Sequence, residues 1–135
     1  MSKSEPIVKK YMSPQPYFIE ESDTLEKARD LMSKHQVRHL PVMKQGKVFG
    51  IVSDRDIKMA CSIIGSDPSK MKVADMCHEH PFVTHPETLL HEAAAEMAEK
   101  RYGSAIVVQN GELVGILTTV DICRALAEVL QTRFH

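Results

Sequence analysis

Two short stretches set a hydroxyl and a carboxylate at the same spacing. Ser53 is followed three residues later by Asp56, and Thr118 three residues later by Asp121. If each pair opens a helix, that spacing places both side chains on one face. A helix start has free backbone amides and a partial positive charge, so it suits an anion, to which the hydroxyl adds a donor. A carboxylate beside a phosphate would repel it. Beside a ribose, it would accept bonds from both vicinal hydroxyls. Hydroxyl plus Asp therefore fits a ribonucleotide, with phosphate near Ser53 or Thr118 and sugar on Asp56 or Asp121. A plainer account is available from the same spacing. The hydroxyl caps the helix by accepting from a first-turn amide, and the Asp complements the helix dipole whatever is bound.

The elements that must position these pairs come in duplicate. Gly50-Ile51-Val52-Ser53-Asp54-Arg55-Asp56-Ile57 returns 65 residues later as Gly115-Ile116-Leu117-Thr118-Thr119-Val120-Asp121-Ile122. At that fixed offset Val8 falls on Val73, Leu25 on Leu90, Ala28 on Ala93, Met32 on Met97, Val42 on Val107 and Gly46 on Gly111, without a gap. Such self-similarity marks an internal duplication. Two copies of one small unit can bury their apolar faces about a pseudo-twofold axis. The β-branched runs Val48 to Val52 and Leu113 to Leu117 read as buried strands that lead into the two hydroxyl residues.

The rest of each copy follows. Residues 1–7 read as a loose tail running into a short helical opening over Ile7 to Met12. Tyr17 to Ile19 predicts a strand. Ser22 or Asp23 is placed to cap a helix whose apolar face is Leu25, Ala28, Leu31 and Met32. Val37 to Met43 predicts a strand in which Pro41 marks an edge or a break in pairing. After the turn at Gly46 and the strand to Val52, a helix from Asp54 is expected to bury Ile57, Ala60 or Cys61, and Ile64, with Gly65 ending it. Residues 66–72 form a polar link. The second copy predicts an opening at Val73 to Met76, a strand at Phe82 to Thr84 and a helix over Glu87 to Lys100. A hairpin through Asn110-Gly111 follows. The last helix runs from Thr119 toward Gln131, with Ile122, Leu126 and Val129 or Leu130 as its buried face. Residues 131–135 are expected to fray.

Composition narrows the function classes. The chain has 135 residues, 43% hydrophobic and 26% charged, with a formal net charge of -1. That balance argues against a broad nucleic-acid surface, which carries a basic excess. Aromatic residues are 5% and Trp is absent, so base-stacking platforms are not expected. No apolar run approaches the roughly 20 residues of a membrane span. The N-terminus lacks the apolar core of a signal peptide. Cys61, Cys77 and Cys123 are odd in number and form no C-x-x-C, which suits a reduced, cytoplasmic protein.

The duplicated pattern resembles a tandem pair of CBS domains, the regulatory Bateman module. The marks are Val8-x-x-x-Met12, the strand leading to Asp23 and Thr24, the helix through Ala28, Leu40-Pro41-Val42, the turn at Gly46, and the G-x-x-[S/T]-x-x-D block, all in order and twice. The resemblance implies an α+β fold of two β-α-β-β-α repeats, over residues 8–64 and 73–130. It also implies ligand sites in the cleft between repeats for AMP, ADP or ATP, with NAD or S-adenosylmethionine as alternatives and no required cofactor. In the first site Asp56 would hold ribose, Ser53 and Arg38 phosphate, and Phe82-Val83 the base. In the second, Asp121 and Thr118 would act with Tyr17-Phe18 lining the base. Gly103 stands there in place of an arginine, so the cation must be Arg38 or His39. The resemblance further implies a homodimer formed through helices and a separate effector protein as partner.

Other candidates are weaker. Arg55 could reach a phosphate with its planar fork or simply be solvated at a helix start. Cys77-His78-Glu79-His80 with His85 holds ligand types for a transition metal, but at no common structural zinc spacing. No catalytic triad or phosphate loop is present, so no enzyme is expected. The rival to the nucleotide reading is a dimeric interaction scaffold with vestigial clefts, and after it a metal-binding protein.

Overall fold

The duplication folds twice into one order of elements. The computed structural model describes residues 4–135. The chain runs α1 (Val8–Tyr11), β1 (Ser13–Pro14), β2 (Ile19–Glu20), α2 (Leu25–His35), β3 (His39–Lys44), β4 (Lys47–Ser53) and α3 (Asp54–Cys61). After a 3-10 turn at Val73–Asp75 come β5 (His78–Glu79), β6 (Val83–Thr84), α4 (Leu90–Lys100), β7 (Ser104–Gln109), β8 (Glu112–Thr118) and α5 (Thr119–Phe134). The expected α+β class is found, as two sheets with their helices. Two compact units result: Pro16–Pro81, and residues 4–15 together with Phe82–His135.

In the Pro16–Pro81 unit the sheet order is β2-β3-β4-β5. Strand β2 runs parallel to β3, and β4 runs antiparallel to both β3 and β5. The β3–β4 hairpin turns at Gln45 and Gly46, both at positive φ (52° and 77°), the conformation a two-residue hairpin of the primed type needs. Helices α2 and α3 lay Leu25, Ala28, Ile57 and Ala60 on a core with Ile19, Leu40 and Val52.

The second unit repeats this with order β6-β7-β8-β1, and Asn110 and Gly111 turn its hairpin (φ 53° and 79°). Its core gathers Val8 from α1, Leu90 and Met97 from α4, and Val107 and Leu117 from the hairpin. Each sheet therefore takes an edge strand from the segment that opens the other repeat in sequence. Ser13 and Pro14 pair with Ile116 and Gly115, and His78 and Glu79 pair with Ile51 and Gly50. These registers match at the 65-residue offset.

The octapeptide glycine is explained by this edge strand. A Cβ on Gly50 would stand 2.5 Å from the His78 carbonyl oxygen, and one on Gly115 would stand 2.6 Å from Met12 Sδ. Neither glycine is in the left-handed region. Gly50 supplies room for a neighbouring backbone, and Gly115 room chiefly for the Met12 side chain.

Several expectations are corrected. Thr24 caps α2, its Oγ1 accepting from Lys27 N at 3.2 Å, while Asp23 accepts from Glu20 N and pairs with Lys27. The first short strand is Ile19–Glu20, leaving Tyr17 and Phe18 before it. Strand β3 is interior, and Pro41 lies one residue outside its ladder with β2, so no parallel partner needs the missing N–H. The register shift in β3 comes just after it, at Val42 and Met43. Helix α3 stops at Cys61, and Ile64 is 100% exposed, because the chain turns away before that residue could reach the core. Helix α4 starts at Leu90 rather than Glu87. Helix α5 continues to Phe134, through the residues expected to fray. Its buried positions are Asp121 and Ala125, while Leu126, Val129 and Leu130 are about half exposed. The N-terminal tail was expected over residues 1–7. Residues 1–3 lie outside the described part, but Pro6 accepts from Leu90 N at 2.8 Å and Ile7 bridges Leu89.

Candidate functional site

Both hydroxyl–carboxylate pairs form capping boxes. Ser53 Oγ accepts from Asp56 N at 3.1 Å, and Asp56 Oδ2 accepts from Ser53 N at 3.0 Å and from Ser53 Oγ–H at 2.8 Å. Thr118 and Asp121 repeat the arrangement, with Thr118 N 2.8 Å and Thr118 Oγ1 3.1 Å from Asp121 Oδ2. The strand-to-helix junction explains this locally. The residue that ends each hairpin is extended, so its amide and hydroxyl both face the first helical turn. The plainer account of these residues is thus a physical fact of the fold, and it leaves the outer oxygen Oδ1 of each carboxylate to be assigned.

Those outer oxygens differ between copies. At Asp56, Oδ1 meets His78 Nε2 at 3.1 Å. At Asp121, Oδ1 accepts from Arg124 Nη1 at 3.2 Å, one turn along the same helix. The Asp121 side chain is 5% exposed and the Asp56 side chain 19%. A carboxylate offers about four lone-pair sites. Asp56 uses three of them, so its rim retains capacity toward solvent. Burial pushes the Asp56 carboxyl up, but the bonds from Ser53 and the nearby His78 outweigh burial and hold it below the usual carboxylate range.

The other cationic candidates gather at the same end of this unit. His39 is half-buried and sits opposite Ser53 in the β3–β4 ladder. Burial lowers its imidazole, which the charge of Asp56 raises and that of Arg38 lowers further, with a net downward shift. Arg38 is exposed, and its carbonyl accepts from Asp54 N at 2.8 Å, which fixes it beside the start of α3. Arg55 is exposed one residue before Asp56.

Arg38 and Asp56 line different hollows. Asp56 and His78 line a groove of about 460 Å³ together with Met59, Ile63 and Met76. Arg38 faces a separate hollow with Arg29. Tyr17 and Phe18 belong to the same unit and are about half exposed, Tyr17 stacked on His35 at 3.7 Å between centroids.

In the other unit Phe82 is half-buried and stacks on Tyr102 at 5.3 Å. Its carbonyl accepts from Ile106 N at 2.9 Å, and Val83 is 40% exposed. Phe82 and Val83 thus sit in the unit of Thr118 and Asp121, and Tyr17 and Phe18 in the unit of Ser53 and Asp56.

Sequence reasoning missed His78 as a partner of Asp56. The repeat offered no signal for it, since the residue matching His78 at the 65-residue offset is Ser13 and the contact comes from a strand 22 residues away. Among the described residues no three His, Cys, Asp or Glu side chains come together to hold a metal ion. Burial, then the charge of Glu79, push the Cys77 thiol up, which disfavours the thiolate a metal requires. No helix of the described residues is long and apolar enough to cross a membrane.

Comparison with known proteins agrees with the repeat. Residues 8–62 and 73–128 each match the family model of the CBS domain. The chain is 29% identical over 115 residues to YhcV, a CBS domain-containing protein of Bacillus subtilis, across 85% of this chain and 81% of that one. The crystal structure of the AcuB protein of Vibrio cholerae superposes with a TM-score of 0.84 at 27% identity, covering 98% of this chain and 99% of that one. CBSX2 of Arabidopsis thaliana, solved in complex with AMP, gives a TM-score of 0.82 at 26% identity, covering 92% of this chain and 98% of that one.

Proposed function

The chain belongs to the CBS-domain family, and on that premise we propose that it is a regulatory module that binds an adenine ribonucleotide and signals to a separate partner. The ribose is held by Asp56, and the phosphate end is drawn by Arg38 with Ser53. The observation that carries this reading is the Asp56 carboxylate, fixed by its capping box with Oδ1 turned outward. Because the box sets the carboxylate in advance, little ordering cost remains when a ligand arrives. The AMP complex of CBSX2 supports the adenine class. Asp121 and Thr118 form the weaker second site, since Arg124 and burial already engage that carboxylate.

Signalling follows from differential binding. A ligand that favours one arrangement of the module shifts the population by no more than its difference in affinity for the two. The half-exposed apolar positions on α5, Leu126, Val129 and Leu130, favour a homodimer through helices, with light scattering as the test. No catalytic role is assigned.

The test is calorimetry of the full chain with AMP, ADP, ATP and the 2′-deoxy form of the best binder. Binding that weakens about tenfold with the deoxy form and with Asp56→Asn supports the ribose clamp. Equal affinity for ribo and deoxy forms removes it. No binding of any nucleotide moves the weight to the interaction scaffold.

A further inference from the structure

Beside the start of α3 lies a hollow of about 510 Å³, lined by other residues than the groove of Asp56. Two guanidiniums line it, Arg29 from the middle of α2 and Arg38 from the residue before β3. Ser33 and Gln36 line it as well. Among the described residues neither arginine has an ion-pair partner. Two unpaired cations drawn from separate elements to one concavity repel each other. An oxyanion between them would remove that repulsion.

We propose that this hollow is an oxyanion site in which Arg29 is the second cation, and that it takes the terminal phosphates of a polyphosphate. The planar fork of each guanidinium matches two phosphate oxygens, and two forks suit a chain of phosphates better than one. Ser33 and Gln36 supply neutral donors. One carboxylate, Asp54, also faces the hollow, but Lys58 Nζ lies 3.0 Å from it and offsets its charge. The end of α2 adds only a partial negative charge, about half a unit, against two full positive ones. The balance at the hollow remains positive.

The inference deepens the nucleotide reading by fixing the ligand's anionic end, and rests on that reading only for the adenosine end. The Asp56 groove holds no lysine or arginine. Phosphates beyond the first must therefore find their cations elsewhere, and Arg38 lines a hollow with Arg29. Discrimination among AMP, ADP and ATP would then be set by Arg29.

The experiment is calorimetry of the full chain with inorganic tripolyphosphate, AMP and ATP, on the wild type, Arg29→Gln and Arg29→Lys. Arg29 is exposed, so neither substitution disturbs the core. The expected result is that R29Q weakens tripolyphosphate and ATP about three- to tenfold and leaves AMP unchanged, with R29K recovering part of the loss. Tripolyphosphate binding with no nucleotide binding would sustain the oxyanion site and remove the adenine reading. Unchanged tripolyphosphate affinity in R29Q, or no tripolyphosphate binding by the wild type, would overturn the proposal.

Discussion

His78 Nε2 stands 3.1 Å from Asp56 Oδ1, joining an edge strand to the first turn of α3 across 22 residues of sequence. The contact occupies the one carboxylate oxygen that the capping box leaves outward. A ribose that uses this oxygen must displace the imidazole or share the site with it. His78→Ala should therefore raise ribonucleotide affinity by about two- to fivefold, the worth of one exposed pair. Calorimetry reads this directly. A fall in affinity would mean that His78 touches the ligand instead of competing with it.

The two capping boxes predict unequal costs. Ser53→Ala and Thr118→Ala should each destabilise by about 1 kcal/mol, the usual worth of an N-cap. Asp121→Ala should cost more than Asp56→Ala, by about 1–3 kcal/mol, because it strands a buried amide and hydroxyl where Asp56→Ala leaves them near solvent. Urea denaturation of the four variants would show the order. Equal losses for the two Asp variants would contradict the burial difference.

Acid should weaken the fold through Asp56. Its folded carboxyl lies below the ordinary value, near 3.9 in an unfolded chain, so its contribution is complete above about pH 4. It is lost as pH falls through the lower folded value. Asp56→Asn should remove that part of the acid slope while leaving the neutral-pH plateau lower and flat. Thermal melts between pH 2 and neutrality, in roughly half-unit steps, resolve it.

His39 predicts a slope at milder pH. Its folded imidazole is lowered, chiefly by burial, so below about pH 6.5 the unfolded chain takes up a proton that the folded chain refuses. Stability from this group is complete above that value and declines as pH falls, until the folded value is passed. His39→Gln should flatten the melting curve around pH 6. An unaltered slope in that variant would place the titration elsewhere.

Gly50→Ala should destabilise by about 1–3 kcal/mol, as overpacking does. The added methyl meets the His78 carbonyl, which is backbone and cannot swing aside. Gly115→Ala should cost less, since the atom it meets is the flexible Met12 thioether. Denaturation midpoints would rank the two.

The repeat was the most legible part of this protein. The hairpin at Asn110-Gly111 and the apolar face Leu25, Ala28 and Met32 follow from local rules, and the structure has both. What local rules could not see was where the chain runs out of neighbours. Ile64 keeps helical spacing with Ile57, yet α3 has ended three residues earlier. Leu126 keeps it with Ile122, but burial on α5 follows Asp121 and Ala125. At the candidate site the hydroxyl and carboxylate were found from spacing alone. The third partners, His78 and Arg124, were not, because one comes from a distant strand and the other is an ordinary surface arginine until a buried carboxylate faces it.

The exchange of edge strands bears on how the protein can be cut. A fragment trimmed at the repeat boundary, residues 73–135, would carry β5 with no β4 to receive it and would leave β8 without β1. A fragment of Pro16–Pro81 keeps all four strands of its sheet in one continuous chain. The other unit is discontinuous and survives excision only if residues 4–15 are supplied, joined or in trans. Protease nicking in the polar link at 66–72 would accordingly leave each sheet whole, and the cleaved halves should stay associated and copurify rather than part as two independent repeats.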